Sequence, residues 1–164
     1  MIEEKIDDIL KRIEGEIIEL KINKNRIFLK IDKKEYLNNA NYFKEHGFKR
    51  LLTVSAVDWL EKNQFEIYFI LHSITDNFYV KVSTFISRKG AEIESLCNIW
   101  SNAELHERET WEMFNITFNG NKMLKPFFLE NWIGPPPFRK DFNWREYVKE
   151  NYDLTMDYDW RKTK

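Results

Sequence analysis

Residues 50–87 read RLLTVSAVDWLEKNQFEIYFILHSITDNFYVKVSTFIS, and three β-rich runs separate within them: RLLTVSAVDW, FEIYFILHSI and FYVKVSTFI. Each is dense in β-branched and aromatic side chains, the types that suit a pleated, half-buried surface. Thr75-Asp76-Asn77 breaks the last two apart as a turn, because Asp and Asn side chains hydrogen-bond their own backbone and tolerate left-handed φ. An antiparallel meander is expected, and the flanking segments decide what covers it.

Upstream, Ile2, Ile6, Ile9, Leu10 and Ile13 recur at helical spacing among Glu, Asp and Lys, which predicts an amphipathic helix over 3–14 stopped by Gly15. EIIELKI and RIFLKI follow as two short strands turned at Asn23-Lys24-Asn25. Asp32 is placed to cap a helix over 33–45, with Tyr36, Leu37, Ala40 and Phe43 on one face and Gly47 past its end. Downstream, the spacing of Ile93, Leu96, Cys97 and Trp100 predicts one helix, and another is expected from about Asn102 to Phe114. The order α-β-β-α-β-β-β-α-α predicts an α+β domain over residues 1–114, with helices packed on a largely antiparallel sheet.

From residue 115 to 164 the character changes to an extended, aromatic- and proline-rich C-terminal tail. All four prolines fall here, three of them consecutive at 135–137, and the only regular element expected is a short helix at 143–150. Yet this stretch holds 11 of the 26 aromatic residues, whereas disordered linkers are aromatic-poor. Each large ring hides on the order of 150–250 Å² when buried. A substantial share of these rings is therefore expected to lie against another protein, since aromatics and Arg are what interface cores prefer.

Lys and Arg number 26 and Asp and Glu 27, so no general positive field exists to draw in nucleic acid or anionic lipid. The single cysteine, Cys97, forms no intramolecular disulfide and holds no thiolate metal site alone; on the apolar side of its expected helix it reads as a buried small hydrophobe. The first thirty residues hold an amphipathic pattern instead of a basic region followed by an apolar run and do not read as a signal peptide, and no apolar run reaches the roughly 20 residues of a membrane-spanning helix. HExxH, GxGxxG, P-loop and GxSxG patterns are all missing from the sequence.

Chemistry concentrates in LHERETWEMFNI, residues 105–116, where His106, Glu107, Arg108, Glu109 and Glu112 crowd Trp111, Met113 and Phe114. On a helix Arg108 and Glu112 sit at i and i+4 and can pair, as can His106 and Glu109 at i and i+3. Glu107 and Glu109 are two apart and diverge around the helix, a poor arrangement for two-carboxylate hydrolysis. The second conspicuous stretch is WIGPPPFRKDF, residues 132–142: the prolines favour a stiff polyproline II form, followed at once by Arg139, Lys140 and Asp141 as anchors to an acidic partner surface.

Glu107-Arg108-Glu109, then Glu112-Met113-Phe114, Gly120, and finally Trp132, Gly134, Pro136 and Arg139-Lys140-Asp141-Phe142 together resemble the signature of the C-type subunit of respiratory complex I, the proton-pumping NADH:quinone oxidoreductase. The match spans about residues 100–142. Asn115 stands where a glycine is common, which would loosen the turn; Asn121 replaces a usual histidine and Lys125 an arginine, altering charge at a contact. The same family serves membrane-bound energy-converting hydrogenases, sulfane reductases and dehydrogenases using F420 or ferredoxin, and the ending NWREYVKENYDL resembles the compact archaeal or anaerobic type.

The resemblance implies a structural subunit with no catalytic residue, flavin, cluster or metal of its own, in the hydrophilic arm of an ion-translocating redox complex. It implies packing against the hydrogenase-like large subunit of the D type, beside iron–sulfur subunits that carry the clusters, peripheral at the cytoplasmic face of the membrane and held there through partners. The expected partner interface is Glu107, Arg108, Glu109, Glu112, Trp132, Arg139, Lys140 and Asp141. Two alternatives stand beside it: membership of a membrane-bound [NiFe] hydrogenase specifically, and a small stand-alone carboxylate-dependent hydrolase.

Overall fold

The computed structural model describes residues 15–152 together with 6, 7, 9, 10 and 13. Most of the helix expected over 3–14 lies outside the described residues, although Ile6, Ile9, Leu10 and Ile13 all lie against the core.

The N-terminal hairpin pairs β1 (Ile17–Asn23) with β2 (Arg26–Ile31), and Lys24 takes the left-handed φ of +55° that so short a turn demands. Asp32 accepts a hydrogen bond from the Lys34 N–H and so starts a single 3-10 turn at 33–35, which passes into α1 (Tyr36–Glu45). Then come β3 (Arg50–Trp59), β4 (Gln64–Ser73) and β5 (Phe78–Ser87), the expected antiparallel meander. The five strands form one sheet in the order β1-β2-β5-β4-β3, and β2 joins β5 in parallel, the one parallel pairing in this sheet. The fold class is thus α+β with a mostly antiparallel sheet.

Strand alternation decides the core. Along β4 Phe65, Ile67, Phe69 and Leu71 point inward and are fully buried, while Tyr68, Ile70 and His72 point outward. α1 lays Tyr36, Ala40 and Phe43 on the inner face, Tyr36 meeting Phe69 edge-on at 5.2 Å between ring centroids. α2 (Ala103–Phe114) crosses β3 with Ala103, Glu107, Thr110, Met113 and Phe114 buried, a stripe at helical spacing.

The helix expected through Ile93, Leu96, Cys97 and Trp100 does not form. Ile93 lies in β6 (Glu92–Glu94), which pairs in parallel with β7 (Thr117–Asn119) and sets Ile93 beside Phe118. Past β6, the Leu96 N–H is taken by the Glu107 side chain instead of a helical carbonyl, and Leu96 O accepts from both Ile99 and Trp100 in two tight turns. The apolar spacing is real, since Ile93, Leu96 and Trp100 are buried, but a non-local strand pair and a side-chain acceptor use the backbone differently. The short helix near the end is present as α3 (Trp144–Asn151), capped by Asn143.

Candidate functional site

α2 and the segment after it are tied together by side chains that divide into an inward and an outward set. Glu107 is fully buried, and its carboxylate accepts from Ser95 Oγ at 2.7 Å, the Leu96 N–H at 2.6 Å, Asn121 Nδ2 at 3.0 Å and Cys97 Sγ at 3.2 Å. Four donors replace the water lost on burial, which is what a buried carboxylate requires. Glu107 is thus the knot joining β6, α2 and the start of the tail. Burial pushes the Cys97 thiol up to about 11, and the adjacent Glu107 carboxylate adds to the effect, so the thiol stays protonated as a donor.

Arg108 and Glu112 share the outward face as expected, but each spends its hydrogen bonds on the tail backbone. Arg108 donates from Nε to Lys125 O at 2.7 Å and from Nη2 to Pro126 O at 2.5 Å, with its guanidinium 4.8 Å from the Phe127 ring centroid. Glu112 accepts from three consecutive N–H groups: Phe127 (2.9 Å), Phe128 (2.8 Å) and Leu129 (2.9 Å). Burial alone would raise the Glu112 carboxyl; those three N–H groups and the Arg108 charge outweigh it and hold the pKa below the usual range. One charge holds carbonyls, the other amides, and residues 125–129 are gripped from both sides.

A second clamp holds Arg139-Lys140-Asp141. Asp58, on the inner face of β3 and almost fully buried, pairs with Arg88 Nε at 2.9 Å and accepts the Lys140 N–H at 2.9 Å. Arg88 Nη2 also donates to Asp141 at 2.7 Å and holds that carboxyl below its ordinary value. Arg139 donates from Nε to Phe114 O, the last carbonyl of α2, at 2.8 Å. The helix itself ends at Asn115, whose φ of +57° and N–H bond to Trp111 O make a left-handed cap. The glycine-to-asparagine departure therefore keeps the turn instead of loosening it, since Asn tolerates this region.

Between the clamps, Trp132 donates to Pro135 O at 2.9 Å and packs on Phe142 and Tyr147 at 5.9 and 5.0 Å. Gly134 sits under these rings, where a Cβ would fall 2.6 Å from Trp132 and 2.8 Å from Tyr147. Other large groups face solvent: Phe128 is 59% exposed, Phe138 58%, Trp144 60% and Ile133 89%. These four groups lie close together along residues 128–144 and form an exposed apolar surface on and beside the clamped segment.

Of the eight residues singled out from the sequence, Glu107, Arg108, Glu112, Arg139 and Asp141 make side-chain ties within the chain, and Trp132 nests in the tail. The Lys140 contribution is its backbone N–H, and Glu109 is exposed and joins none of these ties. Sequence reasoning missed Asp58, Arg88 and Ser95, and it singled out Asn121 as a change of charge at a contact without its bond to Glu107. Among the described residues, His, Cys, Asp and Glu nowhere gather in groups of three able to hold a metal.

Residues 29–148 match the family model described as the respiratory-chain NADH dehydrogenase 30 kDa subunit. The chain is 32% identical over 111 residues to the C-type subunit of NADH-quinone oxidoreductase of Novosphingobium aromaticivorans, an alignment covering 66% of this chain and 35% of that one. It is 31% identical over 119 residues to the C-type subunit of F(420)H(2) dehydrogenase of Methanosarcina mazei, covering 71% and 75%. Among solved structures it superposes with a TM-score of 0.85 and 26% identity on a chain of the membrane-bound sulfane sulfur reductase, an archaeal respiratory membrane complex, over 99% of this chain and 97% of that one. The chain spans 35% to 54% of the length of the first bacterial relatives it matches.

Proposed function

The chain belongs to the family of the 30 kDa subunit of respiratory-chain NADH dehydrogenase, and from that premise we propose that it is a non-catalytic structural subunit in the hydrophilic arm of a complex I-like, ion-translocating membrane redox assembly. In this reading it packs on the hydrogenase-like large subunit, the clusters reside in neighbouring iron–sulfur subunits, and electrons pass from NADH, ferredoxin or a similar donor to quinone, protons or a sulfur compound elsewhere in the assembly. Membrane association comes through partners; no helix among the described residues is long and apolar enough to cross a bilayer.

The observation that carries the proposal is the division of labour in the tail. Polar side chains of the body hold its backbone at 125–129 and at Lys140, while Phe128, Ile133, Phe138 and Trp144 remain largely exposed to solvent. A surface already ordered before docking loses less conformational entropy on binding, so the rings can serve as anchors at modest cost. The hydrolase reading fares poorly on the same geometry: Glu107 is fully buried with its oxygens occupied, and Glu109 faces solvent. The whole-length likeness to a sulfane sulfur reductase chain and the similarity to an F(420)H(2) dehydrogenase component favour an archaeal-type assembly over a quinone-reducing complex I proper.

The test is affinity isolation of the native chain from gently solubilised membranes. Co-purification of a hydrogenase-like large subunit and an iron–sulfur subunit is expected, with loss of that recovery when Phe128 and Phe138 are both changed to Ser. A chain recovered alone from the soluble fraction would overturn the proposal.

A further inference from the structure

The face of the five-stranded sheet that points away from the helices carries a built array of charge and rings that the tail interface does not use. Register places Arg26 beside Tyr79, Phe28 between Lys21 and Lys81, Lys30 between Glu19 and Ser83, and His72 between Tyr79 and Arg50. Lys62 reaches over the same face from the β3–β4 connection, 4.8 Å from the Trp59 ring centroid and 5.7 Å from that of Phe85. Five strand cations, Lys21, Arg26, Lys30, Arg50 and Lys81, thus stand against Glu19 and Glu66, the only strand carboxylates on this face among the described residues, in a chain whose formal net charge is −1. Around Phe28, with Lys21, Lys30 and Lys81 at its rim beside Glu19 and Glu66, the surface dips into a depression of about 200 Å³.

We propose that this outer sheet face is a second docking surface, which takes an acidic segment of a protein partner. The ammonium groups are held in place before any partner arrives. Glu19 pairs with Lys30 at 2.6 Å and Glu66 with Lys81 at 3.3 Å. Lys30 also lies 5.1 Å from the Phe85 centroid and Lys81 4.4 Å from that of Tyr68. Fixed point charges beside half-buried rings suit carboxylates on a protein surface, where charge complementarity selects the partner. The same arrangement argues against single-stranded nucleic acid, which needs open ring faces for its bases: Lys81 lies over Tyr68, Lys62 over Trp59, and His72 is stacked on Tyr79 at 4.4 Å. The proposal is independent of which assembly the chain joins.

The test uses the full chain, with a poly-glutamate peptide as the probe and oligothymidylate and phosphatidylglycerol vesicles as the other anion sources. Expected is protection of Lys30, Lys62 and Lys81 from acetylation by the peptide, and about tenfold weaker peptide binding in Lys30→Gln/Lys81→Gln, with affinity falling as salt rises. Lys21→Gln/Arg26→Gln, at exposed positions that leave the fold alone, should weaken binding in the same direction, and Lys149→Gln, exposed on α3, should leave it unchanged. Unchanged acetylation of the three lysines, wild-type affinity in both double variants, or tighter binding of oligothymidylate or vesicles than of peptide on this face would each overturn the proposal.

Discussion

Removing the Glu112 carboxylate is the most direct way to test whether polar clamps hold the tail on its own domain. Glu112 accepts three backbone N–H groups at 2.8–2.9 Å on a partly exposed surface. Charge-assisted bonds contribute roughly 1.5–3 kcal/mol each when sheltered, but exposure lets water compete, so about 1 kcal/mol apiece is the reasonable figure here. Glu112→Ala should then weaken local docking of residues 125–129 by about 2–3 kcal/mol, a rise of roughly 30- to 150-fold in the exchange of the Phe127, Phe128 and Leu129 amides. Arg108→Ala acts on the adjoining carbonyls of the same segment. Once either residue lets go the segment opens, so the double variant should exchange about as fast as the more severe single one. Hydrogen exchange with mass-spectrometric detection reads this directly, and β4 amides serve as the internal reference. Unchanged exchange at 127–129 in Glu112→Ala, or strictly additive effects in the double variant, would refute the clamp.

Acid should release the same segment: the folded carboxyls of Glu112 and Asp141 lie below their unfolded values, so their contribution is complete above the ordinary carboxylate range and is lost as pH falls through the folded pKa values, with protease nicking between residues 120 and 142 as the readout. Gly134→Ala drives a methyl into Trp132 and Tyr147 and should destabilise the aromatic nest by about 1–3 kcal/mol, seen as altered near-UV circular dichroism with little change in melting of the sheet. Arg88→Ala strands the buried Asp58 without its cation and should cost about 3–5 kcal/mol in denaturant unfolding, a larger loss than Asp141→Ala gives. With its thiol pushed up to about 11, Cys97 should react with iodoacetamide at pH 8 about 100-fold more slowly in the folded chain than in urea.

Local pattern makes the meander, the hairpin and the 103–114 helix legible, because each is written in spacing and turn chemistry within a dozen residues. The 92–100 stretch misleads since its apolar residues do recur at helical spacing, while the feature that decides its backbone is Glu107, on a later element. The parallel β2–β5 and β6–β7 pairs are equally invisible, because strand partners so far apart in sequence leave no local mark. The second clamp does leave a signal. In RLLTVSAVDW the inward register runs Val54, Ala56, Asp58, and a carboxylate at a core position calls for a buried cation. Glu107 likewise falls on the stripe of Ala103, Thr110 and Phe114. A charge on an apolar stripe is the readable clue in both cases; what it cannot disclose is that Arg88, Ser95 and Asn121 supply the answer.

The clamps also explain why so aromatic a tail can be irregular. Residues 120–142, which hold all four prolines, form no helix or strand, and each unpaired amide or carbonyl there would be costly wherever a partner covered it. Arg108, Glu112, Asp58 and Arg139 supply those missing partners from the body or across to it, at residues 125–129, 140 and 114. With the backbone satisfied internally, docking needs no polar exchange there, and Phe128, Phe138 and Trp144 can be buried on apolar terms alone. Substitutions in the clamps and in the rings should therefore separate. Ring variants such as Trp144→Ser should lose partner affinity while amides 127–129 keep wild-type exchange, whereas Glu112→Ala should lose both. A ring variant that also frees those amides would mean that ring packing, not the polar ties, holds the tail.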